Sequence, residues 1–176
     1  MDVKNVKHLV FLAVLVAQAM VLSVIESWLP VPQVIPGVKL GLANIITLVV
    51  LVFFGFRDAL IVVFVRCFLA SVFSGGILGF AFSISGGILS TIVMALIYLR
   101  FKKSFSLLGI SIAGAVAHNI GQLGAASFVM KELAVMSYLP ILLISGIIMG
   151  CFVGLCSGLL VQSLKKTNYF KLENRG

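Results

Sequence analysis

Acidic residues are scarce in this sequence of 176 residues, and their spacing excludes several kinds of catalytic site. Only five Asp and Glu residues are present, and they form neither a pair nor a run: Asp2, Glu26, Asp58, Glu132 and Glu173. A magnesium-dependent diphosphate enzyme needs clustered carboxylates to hold its metal ions. This chemistry is therefore not predicted.

Motifs for nucleotide hydrolysis and nucleophilic catalysis are also missing. No glycine-rich loop ends in Lys-Ser or Lys-Thr, so the chain is not expected to hydrolyse ATP by itself. The two histidines, His8 and His118, lie far apart, and neither belongs to a Ser/His/Asp or Cys/His set. Cys67, Cys151 and Cys156 stand inside apolar runs without paired spacing, which favours inert buried thiols. We therefore expect no enzyme activity, no cofactor and no metal site.

Apolar residues, by contrast, are abundant. The sequence is 61% hydrophobic and 10% charged, and its mean hydropathy is +1.24, which is typical of an integral membrane protein. A helix needs about 20 apolar residues to cross the hydrocarbon core. The pattern predicts an all-α membrane bundle of six transmembrane helices in a single domain, residues 1–176. The predicted helices are 6–28, 38–54, 58–73, 79–99, 107–130 and 139–164.

The positions of the basic residues predict the orientation. Six crossings with both termini in the cytoplasm place Lys39 and Lys131 outside and Arg66 within the bilayer. All the other Lys and Arg residues then lie on the cytoplasmic side, as the positive-inside rule requires. The formal charge of +8 is thereby explained by topology and contact with the lipid bilayer, without a nucleic-acid partner.

Two groups of polar residues fall inside predicted helices. Arg66 lies near the middle of the third segment, where a guanidinium must face the protein interior or a wet cavity. His118, Asn119 and Gln122 are three or four residues apart and are predicted to crowd one face of the fifth helix. These residues predict a polar pocket. The alternatives are a structural ion pair or carbonyl contact for Arg66, and hydrogen bonds between helices for the other three.

The stretch 36–48 opens the second helix after a proline-rich connection and carries Lys39 and Asn44 in its first turns. With Glu26 at the end of the first helix, these residues are predicted to form the outer part of a ligand site. Such a site suits a small molecule with an anionic or carbonyl-rich head and an apolar body. Alternatively, Lys39 extends to the membrane interface or pairs with Glu26, which would weaken the preference for anions.

Small residues recur on two helices. Ala13 and Ala17 form a small-xxx-small pair in the first segment, and this pair is either a helix-docking surface or ordinary interior packing. Glycines recur at every fourth position in the sixth segment, which predicts close packing against a neighbouring helix. They are Gly146, Gly150, Gly154 and Gly158.

The sequence resembles the substrate-binding S components of energy-coupling-factor importers. The resemblance rests on six short helices, the pair Ala13 and Ala17, and a long outer connection before a helix that opens with Lys39. More narrowly, Pro-Gly-Val-Lys-Leu-Gly-Leu-Ala-Asn at 36–44 and His-Asn-Ile-Gly-Gln at 118–122 are similar to the family labelled heptaprenyl diphosphate synthase component I, or Gx transporter.

The resemblance implies a function and a set of partners. Ala13 and Ala17 would face a transmembrane coupling subunit that is driven by two cytoplasmic ATPases. The chain would capture a small anionic or amphiphilic metabolite at the outer face of a bacterial or archaeal plasma membrane. The alternative is a non-catalytic membrane partner of an isoprenoid or quinone biosynthesis enzyme, as the synthase label implies.

Overall fold

The structure, a computed structural model, describes residues 3–28, 41–101 and 104–166. Within these ranges the chain is helical and contains no strand. The six α-helices are α1 (Val3–Trp28), α2 (Asn44–Phe53), α3 (Phe56–Ala70), α4 (Gly76–Phe101), α5 (Leu107–Met130) and α6 (Leu139–Lys166). A π-helical turn, Ser71–Gly75, joins α3 to α4, and a 3-10 helix, Leu133–Tyr138, precedes α6.

The short helix α2 occupies the centre of the bundle. All residues from 41 to 51 are buried, and α2 contacts each of the other five helices. The α2 sequence is apolar on every side apart from Asn44 and Thr47, which is typical of a helix surrounded by protein. The two polar side chains at its amino-terminal end are therefore held inside the fold.

Glycines allow α4, α5 and α6 to approach closely. A Cβ added at Gly121 of α5 would lie 2.9 Å from the Cα of Gly86 on α4. On α6, a Cβ at Gly150 would lie 2.7 Å from Ile112 Cα, and one at Gly154 would lie 2.8 Å from Leu108 Cα. The close packing predicted from the glycine repeat is therefore confirmed at these positions. Gly158, by contrast, has no atom within 4 Å of such a Cβ.

Helix α1 lies at the edge of the bundle. Among the described residues it contacts α2 and α3 and no other helix. At its amino-terminal end, His8 Nε2 lies 3.3 Å from Asp58 Oδ2 on α3. The His8 ring also meets Phe54 edge-on, with ring centroids 5.2 Å apart. The turn between α2 and α3 therefore lies at the end of the bundle where α1 begins.

The two shortest helices differ most from the predicted segments. Helix α2 begins at Asn44, later than the predicted start at residue 38, because residues 41–43 form a turn in which Gly41 has a φ of +90°. Helix α3 ends at Ala70, before the predicted end at residue 73, and α4 begins at Gly76, before the predicted start at residue 79, with the π-helical turn between them. Gly76 has a φ of +57° at this junction.

Four helical stretches in the described part of the chain are long and apolar enough to cross a membrane: Val6–Glu26, Gly76–Phe101, Leu107–Met130 and Ala134–Lys166. At 1.5 Å per residue, the ten residues of α2 extend about 15 Å, roughly half of a hydrocarbon core. The described part of the chain is therefore all-helical and typical of a membrane protein, with four helices that are long and apolar enough to span the bilayer and two shorter helices.

Candidate ligand-binding site

Five buried polar side chains from four helices converge in the half of the bundle where α1 ends and α2 begins. We call them the polar cluster: Glu26 of α1, Asn44 of α2, Arg66 of α3, and His118 and Gln122 of α5. Each exposes 5% of its surface or less. Burial of so many polar groups among apolar helices requires specific partners, because an unpaired polar group in this environment is costly.

Glu26 fixes the turn that leads into α2. Its Oε1 accepts a hydrogen bond from the backbone N–H of Gly41 at 2.5 Å, and its Oε2 accepts one from Leu42 at 3.2 Å. Acceptance through both oxygens is the arrangement expected of an ionised carboxylate. The carboxylate also offsets the positive partial charge of the free N–H groups before the helix. Glu26 therefore stabilises the turn before α2, in addition to its predicted role as a ligand-binding residue.

Arg66 reaches from α3 to the first residue of α2. Its Nη2 donates a hydrogen bond to Asn44 Oδ1 at 3.3 Å. The Nε atom is buried and has no hydrogen-bond partner among the described residues. Among the described residues, the ion pair that is found joins His8 and Asp58. No described carboxylate lies within ion-pair distance of the Arg66 guanidinium. The predicted alternative of a structural ion pair for Arg66 is not observed there.

His118 and Gln122 form a pair on one face of α5. Gln122 Nε2 lies 2.8 Å from His118 Nε2. When the amide nitrogen is the donor, His118 Nε2 is the acceptor, and the neutral imidazole carries its proton on Nδ1. A Cβ added at Gly86 would lie 3.1 Å from this Nδ1. The imidazole is therefore oriented towards α4.

Two consecutive glycines of α4, Gly86 and Gly87, bring the parts of the polar cluster together. A Cβ at Gly86 would lie 2.6 Å from Gln122 Cγ, and one at Gly87 would lie 3.5 Å from Arg66 Nη2. His118 therefore borders Gly86, and Arg66 borders the next residue, Gly87. A third glycine, Gly41 in the turn before α2, also borders the cluster: a Cβ there would lie 2.9 Å from Asn44 Nδ2 and 3.4 Å from His118 Cδ2.

These glycines were not predicted to belong to the site. A Gly-Gly pair inside a helix costs about 1 kcal/mol per residue relative to alanine, so its presence indicates a close approach by another group. That signal was available in the sequence. The identity of the approaching groups was not, because α3 and α5 are brought to α4 only by the tertiary fold.

Two predicted site residues are placed differently. Asn119 is buried, but its Nδ2 donates to the backbone oxygen of Leu142 on α6 at 2.5 Å. It therefore faces α6, whereas His118 and Gln122 face α4, and the three side chains do not crowd a single face. For Asn119 the predicted alternative of a hydrogen bond between helices is the one observed. Lys39 lies outside the described residues, as does the connection before it.

Ala13 and Ala17 lie on the outward face of α1. Both are exposed on the surface of the bundle. The residues of α1 that pack inwards are on its other face and include Leu12, Leu15 and Ala19. The predicted alternative, in which the two alanines pack inside the bundle, is therefore wrong for this chain.

A cavity of about 170 Å³ lies at the opposite end of the molecule. Its lining includes Val52, Tyr98, Ile110 and Lys165. None of the polar-cluster residues contributes to it. The polar cluster is thus separate from this cavity, and it combines one guanidinium, one carboxylate, two amides and one imidazole.

Comparison with known families shows a match over most of the chain. The model of the family described as heptaprenyl diphosphate synthase component I matches residues 15–160. This range contains the whole polar cluster. No curated protein and no solved structure matches the chain. Because the match covers most of the sequence, the chain belongs to the heptaprenyl diphosphate synthase component I family.

Proposed function

We propose that this chain is the substrate-binding membrane subunit of an importer of the energy-coupling-factor type. It captures a small anionic or amphiphilic metabolite at the outer face of a bacterial or archaeal plasma membrane and performs no catalysis itself. The observation that carries this proposal is the buried guanidinium of Arg66, which has a hydrogen bond to Asn44 but no ion pair among the described residues. An anionic or carbonyl-rich ligand would supply the missing acceptor.

The position of the polar cluster supports entry from outside. In the described part of the chain, Lys7, Arg57, Arg100, Lys165 and Lys166 lie at the end of the bundle where α1 begins. The polar cluster lies towards the other end. With the basic end and both termini in the cytoplasm and with six crossings, the polar cluster lies in the external half of the membrane.

The edge position of α1 supports a docking role. An importer subunit without an ATPase motif needs partners, here a transmembrane coupling subunit and two cytoplasmic ATPases. Ala13 and Ala17 are small and exposed, so another helix can approach α1 closely at this surface. Close helix contact through small residues is a common basis of association within a bilayer, where burial of apolar surface gives little driving force.

The docking role predicts a specific loss of partners. Ala13→Trp and Ala17→Trp should remove the coupling subunit and the ATPases from the tagged chain when it is purified from its native host. The matched control is Leu155→Trp, which places the same side chain at an exposed apolar position on α6. Retention of the partners by both alanine variants would contradict the docking role.

The family name favours a second candidate, a non-catalytic membrane partner of a prenyl diphosphate synthase. The same purification separates the two proposals. A synthase subunit that remains bound to the wild-type chain, in the absence of ATPases, would favour the second.

A further inference from the structure

We infer that the ligand of the polar cluster is a monoanion, in the simplest case a carboxylate, and not a diphosphate. The inference rests on the proposed function, because it names the class of molecule that the same site holds. Its basis is the balance of charge and hydrogen-bond donors around Arg66.

Arg66 presents the recognition group. A guanidinium carries five N–H donors in a planar arrangement that matches the two oxygens of a carboxylate. Only one hydrogen bond of this group is formed within the described chain, to Asn44 Oδ1 at 3.3 Å. The buried Nε has no partner there. Buried donors in folded proteins nearly always have partners, so the geometry calls for an acceptor from outside the described residues.

Glu26 limits the charge of that acceptor. Its carboxylate holds the backbone N–H groups of Gly41 and Leu42, and Gly41 borders both Asn44 and His118. A fixed negative charge therefore lies at the edge of the polar cluster. Like charges repel strongly where water is excluded, and this repulsion increases with each additional negative charge on the ligand. A diphosphate carries two or three such charges.

The chain offers little to neutralise a diphosphate. Proteins usually bind diphosphates through Mg²⁺ held by carboxylates, or through several cations. Among the described residues, no group of three or more His, Cys, Asp and Glu side chains is placed to hold a metal ion. Among the described residues of the cluster, the charges of Arg66 and Glu26 cancel, so a carboxylate adds one uncompensated charge and a diphosphate adds two or three. A single carboxylate is therefore the anion that this site holds at the lowest electrostatic cost.

The neutral members of the cluster fit the rest of such a ligand. Asn44, His118 and Gln122 supply donors and acceptors without net charge. Apolar residues of α2 and the glycine backbone of α4 surround them. A molecule with one carboxylate, few other polar atoms and an apolar body complements these surfaces.

The test uses three probes that share one ten-carbon body: geranic acid, geraniol and geranyl diphosphate, the last with and without Mg²⁺. The full chain is reconstituted in lipid nanodiscs, and binding is measured by titration calorimetry against empty nanodiscs. Arg66→Gln removes the charge, Arg66→Lys keeps the charge without the planar fork, and Arg57→Gln is the matched control at an exposed arginine of the same helix. Circular dichroism checks the fold of each variant.

We expect geranate to bind the wild-type chain and the Arg57→Gln variant with similar affinity. Arg66→Gln should weaken its binding by about tenfold or more, since it removes a hydrogen bond to a charged group. The affinity of Arg66→Lys for geranate should lie between those of the wild-type chain and Arg66→Gln. If Arg66→Gln does not fold, Arg66→Lys provides the comparison with the wild-type chain. Geraniol and geranyl diphosphate should bind the wild-type chain more weakly than geranate.

Two results would overturn the inference while leaving the proposed function intact. They are Arg66-dependent binding of geranyl diphosphate that is as tight as that of geranate, or equally tight binding of neutral geraniol. If no probe shows binding that depends on Arg66, both the inference and the proposed function fail.

Discussion

Arg66 is a buried cation in an apolar bundle, and such a residue costs about 3 kcal/mol at bilayer depth unless partners compensate. Within the described chain it has one hydrogen bond, to Asn44. Glu26, the one carboxylate of the polar cluster, accepts hydrogen bonds from the turn before α2. Glu26 and Arg66 therefore form no ion pair with each other, and the guanidinium is available to the ligand that we propose.

The glycines of α4 give a prediction at the scale of single residues. Gly86→Ala should lower the free energy of unfolding by about 1–3 kcal/mol, because the added methyl group overpacks the α4–α5 contact. Its Cβ would lie 2.6 Å from Gln122 Cγ and 2.8 Å from the His118 backbone oxygen. Thermal unfolding in a mild detergent measures the effect.

Gly79→Ala is the matched control for that variant. Gly79 is also a buried residue of α4, but no atom lies within 4 Å of an added Cβ. Alanine has the higher helix propensity, so this change should leave the stability unchanged or raise it by up to about 1 kcal/mol. Equal destabilisation by the two variants would show that Gly86 is not a close-approach position.

At the residue scale, the sequence predicted neighbours along one helix better than neighbours across helices. The pairing of His118 with Gln122 follows from their four-residue spacing. Asn119 shares the sequence stretch, but its direction depends on where α6 lies, and it contacts Leu142. The spacing of these residues in the sequence could not show which of them contact each other and which contact another helix. The Gly86 and Gly87 contacts needed the arrangement of three helices.

Among the helices, α2 and α3 are the least typical of a membrane protein. Helix α2 has 10 residues and α3 has 15, so neither meets the length of a full span. Their joining turn nevertheless reaches the end of the bundle where α1 begins, since Asp58 lies 3.3 Å from His8. We expect both helices to cross the membrane region. Helix α2 has protein around it, a setting in which the bilayer constrains helix length less, whereas α3 has an exposed apolar face that includes Ile61, Phe64 and Phe68.

Cysteine labelling tests this crossing. In a background without the native cysteines, single cysteines replace Arg57, Ser104 and Lys131, which are exposed at the α2–α3, α4–α5 and α5–α6 connections. A membrane-impermeant maleimide should label Lys131→Cys in intact cells. It should label Arg57→Cys and Ser104→Cys only after permeabilisation. Labelling of Arg57→Cys from outside would show that α2 and α3 do not cross.

At this scale, sequence predicted the long helices more closely than the short ones. Helix α5 begins and ends at the residues predicted for the fifth segment, because its apolar run is bounded by polar residues at both ends. Helix α2 starts later than predicted because the turn at Gly41 depends on a distant carboxylate, Glu26. A hydrogen bond between residues 15 positions apart leaves no periodic signal in the sequence.

For the whole molecule, the polar cluster exists only because α2 is central. Its contacts with all the other helices bring residues of α1, α3 and α5 to one place. Composition predicted a membrane bundle, and the motifs at 36–44 and 118–122 predicted the family that the family match shows. Neither source predicted that Arg66, His118 and Gln122 would meet beside two glycines of α4, since this depends on how the helices are arranged in space.

We propose above that the polar cluster holds a small molecule through Arg66. Native mass spectrometry of the gently purified chain tests it most directly, with Arg66→Gln and Arg57→Gln prepared in parallel. We predict a bound small molecule on the wild-type chain and on Arg57→Gln, and its loss from a folded Arg66→Gln variant. Equal occupancy in all three proteins, or a wild-type chain that carries no small molecule under these conditions, would contradict the claim.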